Sequence, residues 1–175
     1  MDKNMLEQLK KPFKEEEIEW RVQQQGPLKA GVWCMVLAYV QARAIQDRLD
    51  DVFGCLGWKD EYCFYDSNNN KNENVICKLS VWDSSKSIWV TKENGAPETQ
   101  VEAFKGGISS AFKRVASSGY GIGRYLYNLD TNFAETTFDK KTRKDGWNKA
   151  SIMINNQKKV YYWKTPKLPN WALPK

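Results

Sequence analysis

Apolar positions along this chain follow two periods, alternating in some stretches and recurring at three- and four-residue steps in others. The switch between the periods marks the predicted elements. Over residues 15–25, Ile18, Trp20 and Val22 fall on one side, which predicts a strand that Gly26-Pro27 should end. Residues 32–39 are almost wholly apolar and predict a buried strand. From about Val40 the period lengthens. Ile45, Leu49, Val52 and Phe53 share one helical face, Arg43, Asp47 and Asp50 share another, and Gly54 suits the helix C-terminus. Three further strands are predicted at 58–65, 74–82 and 87–92, the last two joined as a hairpin across Asp83-Ser84-Ser85. A short helix is expected in the first dozen residues, stopped by Pro12. Near the other end, 151–154 and 159–163 are expected to pair around Asn155-Asn156-Gln157, followed by an extended Pro-rich end.

The stretch 98–127, ETQVEAFKGGISSAFKRVASSGYGIGRYLY, carries the most unusual pattern. Val101, Phe104, Ile108, Ala111, Phe112 and Val115 form one apolar helix face, with Glu98 near the start and cations late, as the helix dipole favours. The opposite side, at about 100° per residue, holds Ala103, Gly106, Gly107, Ser110 and Ser117, with Lys113 among them and Lys105 and Arg114 at the margins. Two adjacent glycines cost roughly 1 kcal/mol each relative to alanine in a helix interior. A face that accepts this cost is expected to have something packed closely on it, and small residues with a few strong cations suit a phosphate backbone. A neighbouring subunit would suit the same face.

Charge is unevenly spread. Residues 1–138 carry 17 basic and 19 acidic side chains, a net of −2, whereas residues 139–175 carry 10 and 2, a net of +8. Two regions are therefore expected: a core at 1–138 that carries the single-strand-binding and oligomerisation surfaces, and a basic, aromatic segment at 139–175 with a β-hairpin and Trp147, Tyr161, Tyr162, Trp163 and Trp171. Such a segment can follow a phosphate backbone and stack bases. It can equally be a solvated tail whose hairpin packs its aromatics. The N-terminal sequence has no apolar signal region, and the longest apolar run, 32–40, is far short of the ~20 residues that cross a bilayer. A cytoplasmic protein with no membrane partner is expected.

Several chemistries lack their parts. The chain has no histidine, and Cys34, Cys55, Cys63 and Cys77 form no CxxC pair, so zinc sites and Ser/His or Cys/His catalysis lose their usual groups. All four cysteines are expected to be reduced core hydrophobes. Gly119–Gly123 closes a helix instead of opening one, and no GK[ST] follows, which argues against a nucleotide loop and any ATP cofactor. The carboxylate pairs Asp50-Asp51 and Asp60-Glu61 point apart along their elements, and the first lies beside Arg43 and Arg48, where ion pairing accounts for it. The cations Arg43, Lys105, Lys113, Arg114 and Arg124 lie on or beside the two main helices, where a rigid scaffold can fix phosphate contacts. An i,i+4 ion pair from Arg43 to Asp47 is the competing reading for one of them.

Three ordered blocks resemble a known group: EIEWRVQQ (17–24), YVQARAIQDRLDDVFGCLGW (39–58) and EAFKGGISSAFKRVASSGYGIGRYLY (102–127). Together they resemble the phage Sak-type single-strand annealing proteins of the Rad-fifty-two recombination group, over roughly residues 15–130. The resemblance implies an α+β fold, with an antiparallel β-β-β-α core packed on a long helix and assembled into a homo-oligomeric ring of about ten or more subunits. It also implies ATP-independent binding of single-stranded DNA and annealing of complementary strands in recombination and double-strand-break repair, without enzymatic turnover. Lys113 and Arg114 match the family's lysine-arginine pair at the inner groove, and Arg43 falls at or within one residue of its groove arginine. For a second, outer DNA site the nearest candidates are Lys86 and Lys92. A phage exonuclease or a host single-strand-binding protein is the kind of partner implied. The chain departs from the group at 115–120, which is one residue longer than the usual spacing, with Ser118 and Gly119 where a basic and an aromatic residue are expected. The alternative from the same fold is a passive protector of single strands or DNA ends. A metal-dependent nuclease using Asp60 or Glu61 is the alternative from another class.

Overall fold

The computed structural model describes residues 3–66, 73–97 and 103–174, with the side chains of 66, 73 and 103–105 outside that description. The fold is α+β with antiparallel sheets. A short helix, α1 (Lys3–Lys10), leads into the hairpin of β1 (Ile18–Leu28) and β2 (Gly31–Val40), and then into α2 (Ala42–Phe53). A meander follows, β3 (Trp58–Asp66), β4 (Glu73–Asp83) and β5 (Ile88–Pro97), and leads to α3 (Ala103–Val115). The chain closes with β6 (Asn132–Ala134), β7 (Thr136–Thr137), β8 (Trp147–Ile154) and β9 (Gln157–Lys164). These strands form three sheets: A, ordered β1-β2-β6; B, ordered β3-β4-β5; and C, ordered β7-β9-β8.

Strand alternation builds two cores. On β4 the residues Val75, Cys77, Leu79 and Val81 are fully buried, and they face Ala111, Phe112 and Val115 of α3 and Ile45 and Leu49 of α2 in one cluster. Burying side chains of this size is worth about 1.5–3 kcal/mol each, so the meander and its helices hold together chiefly through this layer. α1 joins it through Leu9. Arg48 of α2 fixes the segment after α1 by donating to the carbonyls of Gln8 (3.0 Å) and Lys11 (2.9 Å) while covering the Phe13 ring at 4.1 Å. The second core lies between sheets A and C. There Val32, Cys34 and Val36 meet Ile152, Tyr161 and Trp163, and the Tyr161 hydroxyl donates to Gln25 Oε1 at 2.5 Å. Residues beyond 138 thus share a core with β1 and β2, and Leu168 and Ala172 reach the first core.

Several expectations change in the structure. Gly26-Pro27 does not end β1, which runs to Leu28 with Pro27 opposite Val32. Sheet A ends at β1, so the missing proline N–H costs no ladder bond there. Gly26 lies under the Trp33 ring, where an added Cβ would come within 2.5 Å of Nε1. β5 extends five residues beyond the expected 92. The terminal hairpin turns on Asn155 and Asn156 alone, at φ 50° and 59°, with Ile154 paired to Gln157; asparagine tolerates this conformation better than most residues. Cys34 and Cys77 are buried and free, but Cys55, in the turn after α2, is exposed, so it is not a core residue. The start of α3 expected at Glu98 lies outside the described residues.

Candidate nucleic-acid interface

The site is built where α3 ends beside the β1–β2 hairpin. The apolar face of α3 is buried, so Lys113 must leave it on the side turned to sheet A. Its Nζ lies 5.8 Å from the centre of the Tyr39 ring near the end of β2. Glu19 pairs with Tyr39 across the ladder and Arg21 stands two residues on, bound to Glu19 at 2.9 Å. Burial pulls the half-buried Lys113 ammonium below the ordinary lysine range, Arg21 pushes it the same way, and Glu19 partly offsets both. Two cations therefore face one carboxylate beside an exposed aromatic ring. An added anion would relieve the repulsion between the cations and stabilise the charged lysine.

Lys113 and Arg114 straddle the helix. Arg114 Nη1 donates to the Gly95 carbonyl of β5 at 3.4 Å, and Asn94 Nδ2 donates to Ser118 Oγ at 2.9 Å, so β5 is tied to the end of α3. Lys92 lies on this side as well. Its stem occupies the space above Gly119, where an added Cβ would stand 2.7 Å from Lys92 Cβ. A larger residue at 119 would displace that lysine. The structure thus gathers Lys113 with Arg21 on one flank, and Arg114 with Lys92 on the other. Arg43 is exposed on the first turn of α2, three residues after Val40, and makes no ion pair with Asp47 among the described residues. Lys86 is exposed at the tip of the β4–β5 hairpin, away from this cluster in the sheet ladder. The Lys105 side chain lies outside the described residues.

Arg124 is exposed and bonded to the end of its own helix. After Val115 the helix continues as a five-residue π turn, Ala116–Tyr120, and Gly121 and Gly123 then take φ of 82° and 69°. A π turn closes on i→i+5 and so holds one residue more than an α turn. Arg124 Nε donates to the Ser117 carbonyl at 2.8 Å and Nη2 to that of Ser118 at 2.5 Å. The Ser117 carbonyl also accepts from the Gly121 N–H at 3.0 Å, so Arg124 adds a second bond there and gives the Ser118 carbonyl a partner at the end of the helix. Tyr120 anchors the same turn: its hydroxyl lies 2.7 Å from the Leu79 carbonyl and 2.8 Å from that of Val90, and burial raises its pKa to about 12.

The small-residue face of α3 is partly covered by the chain itself, with Gly107 and Ser117 buried and Gly106 and Ser110 half-buried. In the basic C-terminal segment Tyr161, Trp163 and Trp147 are at most 9% exposed, so these rings serve packing, whereas Trp171 is 50% exposed. The carboxylates considered for metal chemistry have protein partners. Asp50 accepts from Trp58 Nε1 at 2.6 Å, Asp60 from the Tyr62 hydroxyl at 2.7 Å, and Glu61 pairs with Lys59 at 3.0 Å. Among the described residues no three potential ligands cluster, and no helix is long and apolar enough to cross a membrane.

Sequence reasoning missed Arg21, Glu19 and Tyr39. Their signal was present as parity, since Ile18, Trp20 and Val22 on one face of β1 put Glu19 and Arg21 on the other. What it lacked was the helix that faces them.

A fold of antiparallel sheets and few helices, with cations gathered at one helix end, agrees with what the chain matches. It belongs to the Rad52/22 family of double-strand break repair proteins, whose model it matches over residues 2–145. Among its relatives is the single-stranded DNA-binding protein DdrA of Deinococcus radiodurans, 34% identical over 144 residues, which make up 80% of this chain and 54% of that protein. The protein of the same name from Deinococcus deserti is 29% identical over 171 residues, 90% of this chain and 71% of that one. The chain thus spans about half the length of the first of these relatives. No solved structure matches it.

Proposed function

We propose that the protein binds single-stranded DNA in the cleft between α3 and the β1–β2 hairpin and anneals complementary strands without ATP. The observation that carries this reading is the half-buried Lys113 beside Arg21 and Tyr39, with Arg114 on the next helical position. The naming of two relatives as single-stranded DNA-binding proteins supports the ligand. Cations that grip phosphates leave base edges free, and pairing with a second strand needs only those edges. Copies of the chain arranged head-to-tail in a ring would line up many such clefts, and modest contacts would add through multivalency. Arg43 on α2 is assigned to the same strand, and Lys86 and Lys92 to an outer contact.

Purified protein mixed with complementary labelled oligonucleotides, without ATP or metal, should speed their pairing over the spontaneous rate. Tight binding with nuclease protection but no acceleration would select passive protection instead. Changing Lys113→Ala together with Arg114→Ala should weaken single-strand binding at least tenfold and lower the salt slope by about 1.4, at about 0.7 per lost phosphate contact. Unchanged binding would place the strand elsewhere.

A further inference from the structure

Sheet C presents a second basic surface, and most of its residues lie beyond the part of the chain that matches the family. Ladder pairing sets Trp147 opposite Lys164 and Lys149 opposite Tyr162. These four project from the face of sheet C turned away from the second core, because the intervening residues Ile152, Tyr161 and Trp163 fill that core. Beside these residues lies an open cavity of about 560 Å³, lined by Lys141, Arg143, Trp147, Lys149 and Tyr162, with Asn148 and Trp163 of the other face also reaching it. Its lining holds three cations and no carboxylate. Lys141 and Lys164 stand 5.7 and 5.8 Å from the Trp147 ring. A ring contact neutralises no charge, so the Lys141 ammonium stays available to an anion. Lys164 is less so, because Glu135 lies 3.9 Å from it. Lys141, Arg143 and Lys149 are exposed, and Tyr162 is a half-buried part of the lining.

We propose that this cavity is a second contact for single-stranded nucleic acid, holding phosphate on Lys141, Arg143 and Lys149 and a base against Tyr162. The volume suits a nucleotide-sized group, within the roughly 300–1,000 Å³ common for such sites. Planar forks and ammonium groups around an aromatic ring are what a single strand requires. The inference rests on the proposed function but concerns a separate surface. Arg21 and Tyr39 project from the face of sheet A turned away from the second core, while Lys149 and Tyr162 project from the far face of sheet C. With the packed sheets about 10 Å apart, the two surfaces lie on opposite sides of a sandwich. A segment bound to sheet C does not compete with one in the cleft beside α3.

The test compares two variants of the full chain that lose equal charge. One carries Arg143→Ala and Lys149→Ala at the cavity. The other carries Lys158→Ala and Lys159→Ala at the exposed end of the same hairpin. Binding of a labelled single-stranded oligonucleotide is measured across a salt series, with thermal melts to check that both variants fold. The cavity variant should bind about three- to tenfold more weakly, with a salt slope lower by about 1.4, and the hairpin-end variant should lose less than half of either effect. Equal losses would show a general charge effect and overturn the site, as would no loss in the cavity variant. If the unaltered chain fails to bind single strands, the proposed function falls and takes this inference with it.

Discussion

At the end of α3 a half-buried cation, Lys113, lies against an exposed aromatic ring, Tyr39. On sheet C the roles are reversed: exposed cations stand over Trp147, and Tyr161 and Trp163 are closed inside the second core. Both regions read alike as basic and aromatic sequence. Strand parity and the layer behind each strand decide which partner is given up to the core. A buried ring contributes to stability, and a desolvated cation contributes a poised charge.

The comparison is broken most forcefully at Tyr161. Tyr161→Ala should lower unfolding free energy by about 3–5 kcal/mol in denaturant titration, as large-to-small changes in cores do. Tyr39→Ala should stay within about 0.5 kcal/mol, as exposed substitutions do. Equal losses would mean that Tyr39 is also a core ring. Arg124 sharpens the same contrast within the α3 region. Removing two charge-assisted bonds to carbonyls by Arg124→Ala should cost about 1–3 kcal/mol while leaving the salt slope of single-strand binding unchanged. A lower slope would show that this arginine also grips the strand.

The smallest expected effect concerns pH. The free protein holds the Lys113 pKa below the ordinary lysine value, and a bound phosphate stabilises the protonated form. Binding is therefore coupled to proton uptake only where free Lys113 is partly neutral. Affinity should be flat below that lowered pKa and weaken as pH rises through it, earlier than an ordinary lysine would allow. Lys113→Arg should remove the alkaline loss, because arginine stays charged. A decline that persists in this variant would assign it to another group.

Much of this was legible in the chain. The spacing of Ile45 and Leu49 and of Ala111, Phe112 and Val115 named the helical side of the main core, because period alone determines which side chains share a face. The lysine-arginine pair on α3 was visible for the same reason. What period could not supply was the partner across the gap. Nothing local places Arg21 and Tyr39 beside Lys113, or turns the guanidinium of Arg124 back onto its own helix. Gly26-Pro27 misled because the penalty for proline in a strand holds only where a neighbour needs its N–H. The burial of the C-terminal rings depended on sheet A lying behind them, a long-range contact that composition does not encode.

The π turn at Ala116–Tyr120 has a consequence for how the chain tolerates change. A π turn holds one residue more than an α turn within a single turn, and Tyr120 at its end is held to the carbonyls of β4 and β5. The turn is slack in the backbone, a place where length can vary while the positions on either side stay fixed.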